Sequence, residues 1–449
     1  MSRRPGRHGS KRPPKSARQP PSGWEARRAA ADLVLKIVDE RMAMEDALAA
    51  STPFDALEGS DRGFARAIAG ATLRALGRID RSLSQLVDRP LEKMDAAALA
   101  VLRVGAAQLW VLETPAYASV SATVEAARQW EPANRSGGLV NAVLRRADRE
   151  RSVYDDIPAS TIWPDWLAAR LKSGLGSKRA DALASLQLQE PSTDISVKSD
   201  PEAWARKLDA RALPSGSVRL PTGAPITQLD GYADGDWWVQ DAGAALAATL
   251  FGDLSGRRVA DLCAAPGGKT LQLSALGAHV AALDISEPRL DRMRENLDRT
   301  KLEATIIAAD AAEWRPKAPL DAILLDAPCS ALGTLRRHPE GAWRRDPKRL
   351  ARYPKTQTKL LNAAHDMLKS GGRLVYCVCT PLPEEGVEIV DAGVKRGDWR
   401  RVPICADEVP GFAHGLTEAG DLITAPPVGS ASEAHVLSDV FQIIRLQKA

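Results

Sequence analysis

A chain of 449 residues with 44% hydrophobic and 26% charged side chains has material for two or three domains and an ordinary globular core. No apolar run approaches the roughly 18–20 residues that a membrane span needs, and five cysteines in no even spacing point to a reduced, cytosolic setting rather than a disulfide scaffold. Charge is unevenly placed: residues 1–23 hold five Arg, two Lys and no acid, a charge of +7 against +4 for the whole chain.

That first stretch, rich in Pro, reads as a disordered basic arm, suited equally to loose attraction to phosphates and to solubility. In residues 24–150 apolar positions recur at helical steps: Leu33 and Ile37, then Ile79, Leu83 and Leu86, then Leu99, Leu102, Ala106 and Leu109. Pro90, Pro115 and Pro132 punctuate the runs, and "RSGGLVNAVLRRADRER" predicts a last helix. This predicts an independent all-helical domain, whose basic residues fit the solvated side of amphipathic helices better than a dedicated nucleic-acid face. Residues 151–235 are mixed: "STIWPDWLAARL" begins a short helix, "STDISVK" reads as a strand, and a turn-rich run completes a small α/β connecting segment.

Residues 236–449 alternate. The helix "DAGAALAATLF" leads to the strand "RVADLCA", the helix "TLQLSAL", the strand "HVAALDI" and a helix opening at Ser286-Glu287-Pro288, with Ser286 as its cap. The strands "ATIIAAD", "DAILLDAP" and "GRLVYCVC" follow, and "HVLSDVFQIIRL" predicts a closing hairpin-like pair. Such alternation predicts a mainly parallel sheet covered by helices on both faces.

Ligands of open α/β sheets bind beyond the carboxyl ends of the strands. Asp284, Asp310 and Asp326 end the second, third and fourth of these strands, Cys379 ends the fifth, and the loop from Cys263 to Thr270 follows the first. Each alone reads as an ordinary turn residue; crowded on one rim, they mark a site. Gly268-Lys269-Thr270 matches the end of the phosphate-binding pattern G-x-x-x-x-G-K-[ST], and "AILLDA" imitates the second strand of a nucleotide hydrolase. The first required Gly is Cys263, however, and Pro266 removes an anion-facing N–H. An adenosine-type cofactor without a triphosphate fits better: Gly267 and Gly268 admit close approach, and Asp284 is spaced to accept from ribose hydroxyls. This is the arrangement of S-adenosylmethionine-dependent methyltransferases. Cys377, inside its strand, reads as an inert small hydrophobe, whereas Cys379 falls on the working rim.

"DLCAAPGGKT", "DAPCSALGTLRRHPE" and "LVYCVCTPLPEE" resemble the three signature blocks of the RsmB/NOL/NSUN family of RNA 5-cytosine methyltransferases, and "WPDWL" and "WWVQDAGAALAATL" resemble stretches that precede its catalytic domain. The helical domain resembles the NusB-like RNA-binding domain of the bacterial RsmB branch, which acts on 16S ribosomal RNA. The resemblance implies an all-α NusB-like domain followed by a Rossmann-like class I methyltransferase domain. S-adenosylmethionine would be held by Cys263, Ala264, Ala265, Pro266, Gly267, Gly268 and Lys269, with Asp284, Asp310 and Asp326; no metal is implied. Cys379 would be the nucleophile toward carbon 6 of cytosine and Cys329 would assist product release. Asp326 would bind the pyrimidine edge and, when protonated, supply a proton at N3, with Lys269 near the same centre. The implied partner is 16S ribosomal RNA or an assembling small subunit, met by a cytoplasmic monomer without membrane contact.

Arg336, Arg337, Arg344 and Arg345 are expected to contact phosphates, and His338 to be structural. Three departures from the family pattern stand out: Val-Cys-Thr around Cys379 in place of Thr-Cys-Ser, Gly386 in place of Asn, and "DVFQIIRL" without the usual aromatic pair. A non-catalytic RNA-binding factor that kept the fold, and a nucleotide hydrolase, remain as alternatives.

Overall fold

The computed structural model describes residues 22–429 and 435–449; the basic arm expected over 1–23 lies almost wholly outside the described residues. The helices Trp24–Val38, Gly59–Ser84, Ala96–Trp110, Ala116–Gln129 and Gly137–Arg149 build the first domain. The periodic residues Leu33, Ile37, Ile79, Leu83 and Leu102 are fully buried in its core. Asp95 caps the central helix by accepting from Ala98 N at 2.9 Å. At Gly105 two helices come too close for a side chain, since a Cβ there would lie 2.4 Å from Leu144 Cδ1.

The helices Asp165–Leu175 and Ser177–Gln187 lead into a four-stranded antiparallel sheet. Its strands are β1 (Asp194–Val197), β2 (Arg211–Ala212), β3 (Val218–Arg219) and β4 (Trp237–Val239), in the order β2-β3-β1-β4. The boundary expected after residue 235 therefore falls one strand early. Trp237–Val239 pairs with β1 through Ile195↔Val239 and Val197↔Trp237, so the segment extends to the cap of the helix Ala242–Thr249, where Asp241 accepts from Gly243 N at 2.9 Å.

The main sheet has eight strands. β5 (Arg258–Leu262), β6 (His279–Asp284), β7 (Thr305–Ala308), β8 (Leu320–Asp326) and β9 (Leu368–Val378) are parallel. β10 (Trp399–Arg401), β11 (Leu422–Ile423) and β12 (Gln442–Lys448) are added antiparallel. The path runs β10-β12-β9-β8-β5-β6-β7, with β11 beside β12. The chain thus steps outward from β5 to β7 and then returns to the other side of β5 for β8, which puts the topological switch between β5 and β8. The closing hairpin is not formed. From 442 onward the chain is one strand inserted between β9 and β10, and the residues before it bond to other loops instead, Val440 N to Gly333 O at 3.0 Å and Phe441 O to Thr424 N at 3.0 Å.

The connecting segment packs on the rim of this sheet. Ile162, Trp163, Leu167 and Leu171 share a core with Leu332, Leu335, Leu350 and Leu382 from the loops that follow β8 and β9. Contact is tight at Gly174, where a Cβ would lie 2.6 Å from Pro381 O.

Candidate active site

The loop after β5 is held by the end of β6. Cys263 takes a left-handed turn at φ 62°, and Ala264 N donates to Leu283 O at 2.8 Å. Ala265 N donates to Asp284 Oδ2 at 3.1 Å, while Asp284 Oδ1 accepts from Ser286 N at 3.0 Å. Arg289 pairs with the same carboxylate at 3.3 Å. Gly267 has φ 105°, and a Cβ there would meet Met293 Cγ at 2.8 Å, so the turn into the helix Gly268–Ala275 requires glycine. Ser286 begins the next helix without the side-chain cap expected of it; Asp284 ties that turn instead.

Lys269 and Thr270 decide between the two cofactor readings. Thr270 Oγ1 donates to buried Asp261 Oδ2 at 2.6 Å, and Lys269 Nζ donates to Asp326 Oδ2 at 2.7 Å. In a phosphate-binding loop these two side chains face triphosphate and metal; here both turn back onto carboxylates of their own sheet, and the hydrolase reading loses its ligands. Burial is the largest influence on Lys269 and works to lower its pKa, but the Asp326 charge and hydrogen bond, together with the neighbouring acidic groups, outweigh it and hold the ammonium above the ordinary lysine value. Burial also pushes the Asp261 carboxyl up to about 7 and the Cys263 thiol up.

The other half of the rim carries the sulfur chemistry. Cys329, after β8, and Cys379, after β9, bring their Sγ atoms to 3.4 Å, both half-buried. The hydrogen bond with Cys379, then burial, push the Cys329 thiol well up, and either sulfur can donate in the contact between them. Cys377 is fully buried, and burial raises its thiol as well; it takes no part. Behind the pair, Ser330 N donates to Glu385 Oε2 at 2.6 Å and Ser330 Oγ donates to Thr380 Oγ1 at 3.0 Å. Gln357 Nε2 donates to Pro328 O at 3.0 Å.

Asp310 stands further out, exposed, with Oδ1 accepting from Ala312 N at 2.9 Å. An apolar side chain missed by the sequence reading, Ile285, is 78% exposed directly after Asp284. Its signal was a hydrophobe following a strand-end acid. This half of the rim suits a nucleoside. It offers an acid at the end of β6, an apolar edge beside it, and a glycine turn that admits close approach.

Two of the four arginines expected to touch phosphates are held in ion pairs within the protein instead. Arg336 reaches Asp241 and Asp439 at 3.4 Å each, and Arg337 reaches them at 2.7 and 3.1 Å and donates to Ser192 O at 3.0 Å. Burial and the neighbouring Asp241 push Asp439 up to about 6, while the two arginines outweigh burial at Asp241 and hold it down. Their charges are consumed in joining the connecting segment to the catalytic domain. Arg344 and Arg345 remain on the outside of the same loop, exposed and half-buried respectively. His338 lies beside Glu340 at 3.5 Å, away from the sulfurs' hydrogen bonds.

The family description "16S rRNA methyltransferase RsmB/F" matches residues 250–429, and "NusB family" matches residues 24–149. The "Ribosomal RNA small subunit methyltransferase B" of Xanthomonas campestris is 36% identical over 88% of this chain and 92% of its own length. That of Pseudomonas putida is 34% identical over 82% and 89%. The chain belongs to the RsmB/F methyltransferase family. Among solved structures, PH0851 superposes with a TM-score of 0.70 at 20% identity over 95% of this chain and 99% of its own. NSun6 from Pyrococcus horikoshii with SFG gives 0.54 at 19% over 64% and 98%; both likenesses concern the fold. As an RsmB/F member the enzyme uses S-adenosylmethionine, which supplies a methyl group activated on a sulfonium.

Gly386 and the closing strand that holds Gln442 touch each other. A Cβ at Gly386 would lie 2.2 Å from Gln442 Oε1. Gln442 fills that space and ties the loop that follows Cys379: its Nε2 donates to Thr380 O at 2.8 Å and Leu382 O at 2.9 Å, and its Oε1 accepts from Val387 N at 3.3 Å.

Proposed function

We propose that this enzyme methylates carbon 5 of a cytosine in 16S ribosomal RNA through a covalent adduct on Cys379. The observation that carries this reading is the pair of sulfurs 3.4 Å apart on the rim that also holds Asp326 and Lys269. Carbon 5 of cytosine is a poor nucleophile. Addition of the Cys379 thiolate to carbon 6 pushes electron density onto carbon 5, dividing one difficult transfer into easier steps. After methylation, loss of the carbon 5 proton lets the sulfur–carbon 6 bond break, restoring the aromatic ring and the free thiolate. Cys329, beside the sulfur that leaves, is placed to serve this release.

The Lys269–Asp326 pair reads the base. With Oδ2 occupied by the ammonium, Asp326 offers the base an acceptor rather than the proton expected of it. An acceptor suits the exocyclic amino group of cytosine and rejects the carbonyl that uracil has in its place. The loop 263–268, Asp284, Ile285 and Asp310 hold the cofactor. The relatives' ribosomal RNA substrate supports a cytoplasmic setting, on free RNA or an assembling small subunit.

The test is methyl transfer from labelled cofactor to ribosomal RNA. Cys329→Ala is expected to accumulate a protein–RNA adduct that survives denaturing electrophoresis, and Cys329→Ala/Cys379→Ala to form none. Bisulfite sequencing of 16S RNA from a strain lacking the protein locates the base. An adduct that persists in the double variant would remove Cys379 from the mechanism.

A further inference from the structure

A cleft of about 660 Å³ opens where the three parts of the chain meet. Arg41 of the helical domain and Arg344, Arg345, Arg349 and Arg352 of the catalytic domain line it, against one acid, Asp346. Like charges gathered so closely repel one another, and the partners they have leave most of that charge uncompensated. Arg41 Nη1 donates to Trp343 O at 2.6 Å and Arg344 Nε to Arg41 O at 2.9 Å, both neutral acceptors. Asp346 lies 3.7 Å from Arg349. Arg345 Nε is buried with no hydrogen-bond partner among the described residues, a donor whose unmet bond costs free energy until an acceptor arrives.

Trp166 from the connecting segment and Tyr353 add half-buried aromatic surface to the same walls. The cleft is coupled to the catalytic loops. Burial pushes the Glu385 carboxyl up, with the nearby Arg345 charge working against it, and Glu385 holds the backbone next to Cys329. The helix Arg352–Met367 starts at the cleft and, through Gln357, holds Pro328 O.

Spread cationic donors with aromatic faces between them suit a strand that presents regular anionic oxygens and unstacked bases. We propose that this cleft seats the sugar–phosphate backbone of the single-stranded RNA flanking the target cytosine, with a flanking base against Trp166 or Tyr353. The proposal rests on the ribosomal RNA reading above and adds a path for the strand, from the sulfur pair toward the helical domain. It also assigns the outer arginines of the Cys329 loop the phosphate contacts that Arg336 and Arg337 do not make.

The experiment measures binding of the full-length protein to a single-stranded RNA oligonucleotide against salt, alongside methylation kinetics. The exposed pair Arg349→Ala/Arg352→Ala is expected to flatten the slope of log K against log salt by about 1 and to raise KM for RNA about tenfold, with kcat and cofactor affinity retained. Adding Arg345→Ala should flatten the slope by about 2. Lys395→Ala/Arg400→Ala, exposed charges outside the cleft in the helix Val387–Lys395 and the edge strand β10, should leave the slope unchanged. A wild-type slope and KM in both arginine variants would overturn the cleft while leaving the methyltransferase reading intact. A wild-type protein that methylates no RNA would overturn that reading, and the cleft would then be judged by the binding slope alone.

Discussion

The two halves of the catalytic rim are built on opposite plans. On the β5–β7 side the polar side chains face inward onto the protein: Asp284 collects two backbone amides, Thr270 and Lys269 meet carboxylates, and the turn is fixed by a glycine no other residue can replace. On the β8–β9 side the two sulfurs are left half-exposed, and what fixes them is behind: Ser330, Glu385, Thr380 and Gln442 tie the two loops together. A cofactor loop needs a rigid shape, because its ligand is recognised by fit. In the proposed mechanism the Cys379 loop needs a free sulfur in a fixed place, and its rigidity comes from residues that grip it from behind.

The largest effect should come from removing the sulfur. Cys379→Ala is expected to lower methyl transfer roughly 10⁴-fold or more while calorimetric affinity for S-adenosylmethionine stays near wild type; a parallel loss of affinity would mean that the halves are not separate. The converse change, Asp284→Ala, strips the cofactor loop of its central acceptor and should weaken cofactor binding on the order of 100-fold. Adduct formation with 5-fluorocytosine RNA at saturating cofactor should survive it.

Gln442→Leu removes three hydrogen bonds from the nucleophile loop and should lower kcat about tenfold with KM for RNA unchanged. Gly386→Asn/Gln442→Ala, which moves the amide to the other side of the contact, should recover part of that loss. Equal falls in kcat and in melting temperature, without rescue, would reduce Gln442 to a packing residue.

The smallest effect on activity is expected at Asp261, whose consequence is for stability. Its folded pKa of about 7 lies above the 3.8 of an exposed carboxyl, so the folded state binds the proton more tightly. Stability from this group is fully present below about pH 4 and is lost as pH rises toward 7, by roughly 1.4 kcal/mol per pH unit. Asp261→Asn retains an acceptor for Thr270 and should flatten the fall of melting temperature across that window. An unchanged pH profile would show that Asp261 does not titrate there.

Much of this was legible in the sequence because strands that end in a polar residue announce where they stop. Asp284, Asp326 and Cys379 each close or follow an apolar run, and all three lie on the rim where the alternation places them. What could not be read was partnership across long separations. Arg336 and Arg337 look like Arg344 and Arg345, eight positions on, yet the first two meet acids about 100 residues away on either side. Gln442 sits on a strand with no nearby turn signal because β9 and β10, its neighbours, precede it by dozens of residues. For the same reason the expected hairpin failed, and β4 was assigned to the wrong side of a boundary.

The knot of Asp241, Asp439, Arg336 and Arg337 constrains how this chain can vary over evolutionary time. Two acids and two bases pair in one largely buried cluster, with Arg337 half-buried, so replacing any one leaves an opposite charge poorly hydrated and short of a partner. Substitution at these four positions should therefore arrive in matched sets, and an alignment of many descendants should show them drifting in concert or frozen, never singly.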